Sequence, residues 1–178
     1  MTMSIAAPVL SPEQLEEAAR NFGTPVYVYH AERIAHQYRK LRDAFKACDV
    51  RFFYACKALT NVNVLRVIRE QGAGLDCVSI NEVKLGLHAG FKPEQILFTP
   101  NCTDLDEYIA AKEMGVNINI DNISILEQFG NRFGSDYPVC IRLNPHIMAG
   151  GNFKISTGHV DSKFGVSIHQ IRHIERVV

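Results

Sequence analysis

Lys57 ends an apolar run, Arg51-Phe52-Phe53-Tyr54-Ala55-Cys56-Lys57, that has the aromatic-rich make-up of a buried strand. Burial disfavours the charged ammonium, so a lysine there either carries its head to water or serves as an amine. A desolvated amine attacks carbonyl carbon and condenses with it to a Schiff base. Other polar groups recur at matching places along the chain. Asp76, Asn101, Asp121, Arg142 and Asn144 all stand at or near the C-terminal ends of later apolar runs. An amine, a carboxylate and a guanidinium meeting on one rim would hold a small anionic ligand and tune the lysine; the competing reading is a rim salt-bridge cluster.

What must position these groups is a regular alternation of strand and helix. Strand patterns span 51–57, 74–79, 96–100, 117–121 and 138–144, with starts spaced 23, 22, 21 and 21 residues apart. Helical patterns follow at 61–71, 81–89, 104–114, 123–132 and 167–178. Each βα unit is too small to bury its own apolar face, so the units must pack together. Ahead of them, Ser11-Pro12-Glu13-Gln14 caps a helix, 25–30 reads as a strand, and 31–46 carries Ile34, Tyr38, Leu41 and Phe45 on one helical face. Capping boxes are expected at Ser79/Glu82 and Ser167/Gln170, with Gly72 and Gly90 stopping the helices before them.

Two parallel architectures fit: an open doubly wound sheet, or the first five units of a (β/α)8 barrel. The chain stops inside a helical pattern, and a long loop, 145–165, follows the fifth strand. Both details favour the partial barrel, truncated before closure.

Composition narrows the partners. With 47% hydrophobic and 21% charged residues the chain is an ordinary globular one, and 19 basic residues cancel 19 acidic ones. Without a positive field, neither nucleic acid nor an anionic membrane is the expected partner. No signal peptide and no membrane span are expected. Cys48, Cys56, Cys77, Cys102 and Cys140 are odd in number and contain no CxxC pair, so they read as reduced core thiols in a cytoplasmic protein, with no metal site. His169 and His173 stand four apart but lack a carboxylate to complete a metal site, and His159 reads as a solvated loop histidine. Gly150-Gly151 does not link a strand to a helix, so no phosphate cradle is expected there.

The motifs themselves resemble a known family. Tyr54-Ala55-Cys56-Lys57-Ala58-Leu59-Thr60-Asn61 resembles the lysine segment of fold-type III pyridoxal-phosphate decarboxylases, and Gly74-Leu75-Asp76-Cys77-Val78-Ser79-Ile80-Asn81-Glu82 their second barrel strand. Val139-Cys140-Ile141-Arg142-Leu143-Asn144-Pro145 is similar to their Arg-Ile/Leu-Asn-Pro strand. The loop Ile155-Ser156-Thr157-Gly158-His159-Val160-Asp161-Ser162-Lys163-Phe164-Gly165 and the lead Phe22-Gly23-Thr24-Pro25-Val26-Tyr27-Val28-Tyr29 most resemble the diaminopimelate decarboxylase branch.

The resemblance implies pyridoxal 5'-phosphate as cofactor, Lys57 as the catalytic Schiff-base residue, and Asp76 and Arg142 beside it in the cofactor site. It places Lys163 near a dimer interface and Glu82 either at a family position or only at a helix cap. It implies decarboxylation of a small amino-acid substrate, meso-diaminopimelate to L-lysine, by a homodimer. Alternatives are an ornithine, arginine or carboxynorspermidine decarboxylase, or a non-catalytic pyridoxal-phosphate-binding homologue. Residues 1–30 would form an entry helix and strand that pack with a β-domain not present here, and 31–178 the first part of the barrel. A chain with so few of the expected site motifs would be inactive alone.

Overall fold

The computed structural model describes residues 8–147, 157–159 and 162–178 of the 178-residue chain. Among these residues five strands, β1 (Phe53–Ala55), β2 (Gly74–Cys77), β3 (Ile96–Phe98), β4 (Asn117–Ile120) and β5 (Val139–Ile141), form one parallel sheet in the order β1-β2-β3-β4-β5. Each strand lies beside its predecessor. A doubly wound sheet reverses its order at a switch point, so the sequential order makes this a run of barrel units. β1 and β5 are not paired with each other among the described residues.

Helices α3 (Val62–Glu70), α4 (Ile80–His88), α5 (Leu105–Glu113) and α6 (Ile123–Phe133) fill the crossovers, and α2 (Ala31–Ala44) and α7 (Ile171–Val177) extend the row, each helix packing on the next. Alternation along the strands explains why the helices share one side. Leu75, Cys77, Ile96, Phe98, Ile118 and Ile120 are almost wholly buried and join Val83, Tyr108, Ala111, Leu126 and Phe129 in the main core. Residues of the opposite phase, Asp76, Leu97, Thr99 and Asn119, face away from the helices and are half-buried. Short side chains cap the helices: Asn61, Ser79, Asp104 and Asn122 each accept from a backbone N–H of the first turn.

Several boundaries differ from the sequence reading. Residues 25–30 form no strand; Tyr27 is 89% exposed, and no partner strand among the described residues satisfies its backbone. The helix α1 (Pro12–Phe22) before it has the expected capping box between Ser11 and Gln14. β1 is shorter than expected, because Cys56–Ala58 wind into a 3-10 turn. The fifth strand divides: β5 ends at Ile141, and β6 (Leu143–Asn144) leaves the sheet to pair with β7 (Val166–Ser167). β7 and a 3-10 turn, Ile168–Gln170, replace the start of the last expected helix. Ser167 Oγ accepts from His169 N–H, so the expected box with Gln170 does not form.

At Ser79 the box is shifted: Ser79 Oγ accepts from Glu82 N–H, but the Glu82 carboxylate accepts from Val78 N–H at 2.8 Å. Of the cysteines only Cys56 and Cys77 are buried; Cys48, Cys102 and Cys140 are exposed, the last because it lies on the face away from the helices. Gly150-Gly151 and most of the 148–161 loop lie outside the described residues.

Burial of one sheet face sets a testable asymmetry. Leu75→Ala is expected to lower stability by about 2–5 kcal/mol in urea unfolding, and Leu97→Ala, on the open face, by less than half as much. Equal losses would contradict the assignment of the two faces.

Candidate active site

The 3-10 turn after β1 separates two neighbours. It turns Cys56 into the core, fully buried, and leaves Lys57 exposed at the rim. Leu59 N–H closes the turn onto the Cys56 carbonyl at 3.1 Å, and the Asn61 cap of α3 follows at once. The strand-end lysine therefore escapes burial, correcting the expectation that it sits within the strand.

Pairing sets Ala55 beside Asp76 and Asp76 beside Leu97, so the lysine turn and the Asp76 strand are adjacent. Lys57, Asp76, Thr99, Asn101, Asn119 and Arg142 line one concavity of about 310 Å³. Four of these, Lys57, Asp76, Asn101 and Arg142, are among the residues the sequence singles out; Thr99 and Asn119 are not. Their signal lies in the strands: each is a polar residue in the phase that faces away from the helices. Thr99 Oγ1 and Asn119 Oδ1 are buried and lack a hydrogen-bond partner among the described residues. Buried polar atoms without partners are costly, and both residues line the concavity, where a polar ligand could meet them.

Arg142 sits where the chain leaves the sheet. Its N–H donates to the Ile120 carbonyl and its carbonyl accepts from Val166 N–H, each at 2.8 Å. Its guanidinium carbon lies 4.5 Å from the centroid of the Phe164 ring, a cation–π contact that aims the side chain. Gly165, at φ +79°, permits this approach. A Cβ there would stand 2.9 Å from the Arg142 carbonyl oxygen and 3.1 Å from Asn144 N.

Two other residues from the sequence list serve the wall rather than the concavity. Asp121 is 5% exposed and accepts from Asn101 Nδ2 at 2.8 Å, Asn122 Nδ2 at 3.1 Å and, more weakly, the Tyr108 hydroxyl at 3.4 Å. Burial, then the Asp121 charge, holds the Tyr108 phenol protonated above its ordinary range. Asn101 Nδ2 also donates to the Lys163 carbonyl at 3.2 Å, tying the rim to the loop. Asn144 is buried, donating to the His159 carbonyl at 3.0 Å and accepting from His146 N–H. His159 is half-buried, contrary to the solvated reading. The His169 ring packs on His146, with centroids 5.1 Å apart, while His173 meets Glu127 at 3.1 Å.

A larger groove of about 420 Å³ between α2 and β1 is walled mostly by hydrocarbon, including Ile34, Tyr38, Phe52 and Ile68. It offers no converging polar groups, so size alone does not locate chemistry.

Fold and rim together define the class: a barrel-type α/β domain whose polar groups collect at the C-terminal ends of its strands. Residues 31–178 match the family described as the pyridoxal-dependent decarboxylase, pyridoxal binding domain, and the chain belongs to that family. Diaminopimelate decarboxylase of Methanothermobacter thermautotrophicus is 40% identical over 163 residues, covering 90% of this chain and 38% of that protein. The Campylobacter jejuni diaminopimelate decarboxylase is 34% identical over 157 residues, 86% of this chain and 39% of that one.

Among solved structures, diaminopimelate decarboxylase from Helicobacter pylori complexed with L-lysine superposes with a TM-score of 0.81 at 31% identity, over 90% of this chain and 41% of that chain. Lysine/ornithine decarboxylase from Vibrio vulnificus complexed with putrescine gives 0.74 at 25% identity, over 93% and 42%. The chain thus spans about two fifths of the relatives it matches.

The Asn101 tie to the loop is testable. Asn101→Ala is expected to speed tryptic cleavage after Lys163 several-fold, since the carbonyl there loses its donor. An unchanged rate, followed by mass spectrometry of the fragments, would refute the tie.

Proposed function

We propose that this chain is the N-terminal part of a pyridoxal-phosphate-dependent decarboxylase that converts meso-diaminopimelate to L-lysine. The observation that carries the reading is one concavity holding an amine, a carboxylate and a guanidinium together with two buried polar atoms that have no protein partner among the described residues. The names of the relatives support the choice of substrate. Pyridoxal phosphate, when bound, supplies the electron sink for bond cleavage at Cα.

Lys57 is the residue that would hold the cofactor covalently through its Nζ. Its place on a tight turn between a strand and a helix cap fixes where the amine can reach. Asp76, on the neighbouring strand, would add a carboxylate to the same concavity, beside the bound cofactor. Arg142, aimed by Phe164, presents a guanidinium to an anionic oxygen. The polar atoms of Thr99 and Asn119 would orient the ligand edge that faces the sheet. The net reaction removes the α-carboxylate as carbon dioxide and places one proton on Cα.

Lys163 is an interface candidate in a homodimer, and the cytoplasm is the proposed compartment. With only about two fifths of the relatives' length, this chain by itself would have no turnover. The full-length protein is expected to release L-lysine from meso-diaminopimelate and little product from L-ornithine or L-arginine. Lys57→Ala should lower turnover by about 10³-fold or more. Preference for ornithine would overturn the substrate, and wild-type turnover in Lys57→Ala would overturn the site.

A further inference from the structure

Behind Lys57, on the helix-facing side of the sheet, three groups that this chemistry does not use converge. Cys56 precedes Lys57 and Cys77 follows Asp76. Continuing the Ala55–Asp76 pairing by one residue sets the two cysteines side by side. Both are 0% exposed. Glu82, on the first turn of α4, brings its carboxylate back toward them and is fixed there by Val78 N–H at 2.8 Å. The two Sγ atoms and a carboxylate oxygen all lie within 4.8 Å of one another. Among the described residues no other group of three or more such side chains is this close.

Three points with that spacing share a centre no more than about 2.8 Å from each, against bond lengths of about 2.3 Å for zinc–thiolate and about 2.0–2.2 Å for zinc–carboxylate. Movements of a few tenths of an ångström to about 0.8 Å would therefore bring all three donors to bonding distance. Two soft sulfurs select thiophilic ions over magnesium or calcium. Burial accounts for the thiols and helix capping accounts for the glutamate, but neither requires all three donor atoms to meet at one point. We propose that Cys56, Cys77 and Glu82 form a three-donor site for a thiophilic divalent cation, zinc or its softer analogue cadmium.

Binding replaces the two thiol protons, which leave to water, and gives two thiolate bonds and one carboxylate bond. The way in is short: Cys56 opens a single 3-10 turn whose Lys57 and Ala58 are exposed. A bound ion would tie that turn to the end of β2. The proposal does not depend on the decarboxylase reading, and its test uses no cofactor.

The test titrates Cd²⁺ into the chain carrying Cys48→Ser, Cys102→Ser and Cys140→Ser, which removes the exposed thiols. One ion per chain should bind, with a thiolate-to-cadmium charge-transfer band in the ultraviolet and a rise in Tm. Adding Cys56→Ala or Cys77→Ala should abolish the band, and Glu82→Gln should weaken binding about tenfold. No band in the triple variant at excess Cd²⁺ would overturn the proposal, as would a band unchanged by Cys56→Ala. Circular dichroism verifies folding. If the core cysteine variants unfold, the triple variant and Glu82→Gln decide: an unweakened affinity in Glu82→Gln overturns the three-donor site.

Discussion

Parallel strand pairing with one face buried is the constraint on which the rest depends. Leu75 and Cys77 on β2, Ile96 and Phe98 on β3, and Ile118 and Ile120 on β4 must all meet the helices. A slip of one residue in any strand would turn its apolar set to the open face, so the register is tightly fixed. The same alternation delivers Asp76, Thr99 and Asn119 to the open face without any separate device. The candidate site is thus the opposite phase of the core pattern, and its precision is borrowed from core packing.

The ends of the strands carry a second layer of control. At β1 a 3-10 turn divides adjacent residues, Cys56 to the core and Lys57 to the rim. At β5 the chain leaves the sheet at Arg142, and β6 pairs with β7 instead. That exit brings Phe164 onto the Arg142 guanidinium and makes Gly165 necessary. Asp121 works behind the rim: a buried carboxylate that holds Asn101, which in turn holds the loop at Lys163. Charged residues near the strand ends therefore divide into those that face the concavity and those that build its wall.

Much of this was legible from the sequence. The 21–23-residue spacing predicted the βα units, and the sheet order resolved the two architectures it left open. Lys57, Asp76, Asn101 and Arg142 were readable because strand ends in a parallel sheet share one rim. Asp121 and Asn144 were indistinguishable from them, since inward or sideways orientation depends on contacts with residues 13 to 20 positions away. Residues 25–30 have strand composition but no ladder, because a strand is defined by its partner as much as by its own residues. The Cys56, Cys77 and Glu82 convergence was invisible because it depends on register between β1 and β2 and on a helix cap displaced by one residue.

The central claim is that Lys57 is the amine to which pyridoxal phosphate attaches. The most direct measurement is borohydride reduction of the full-length protein with pyridoxal phosphate bound, followed by proteolysis and mass spectrometry. A phosphopyridoxyl group on the peptide containing Lys57, in about one copy per chain, is the predicted result. Its presence on another lysine, Lys163 for example, with Lys57 unmodified, would contradict it.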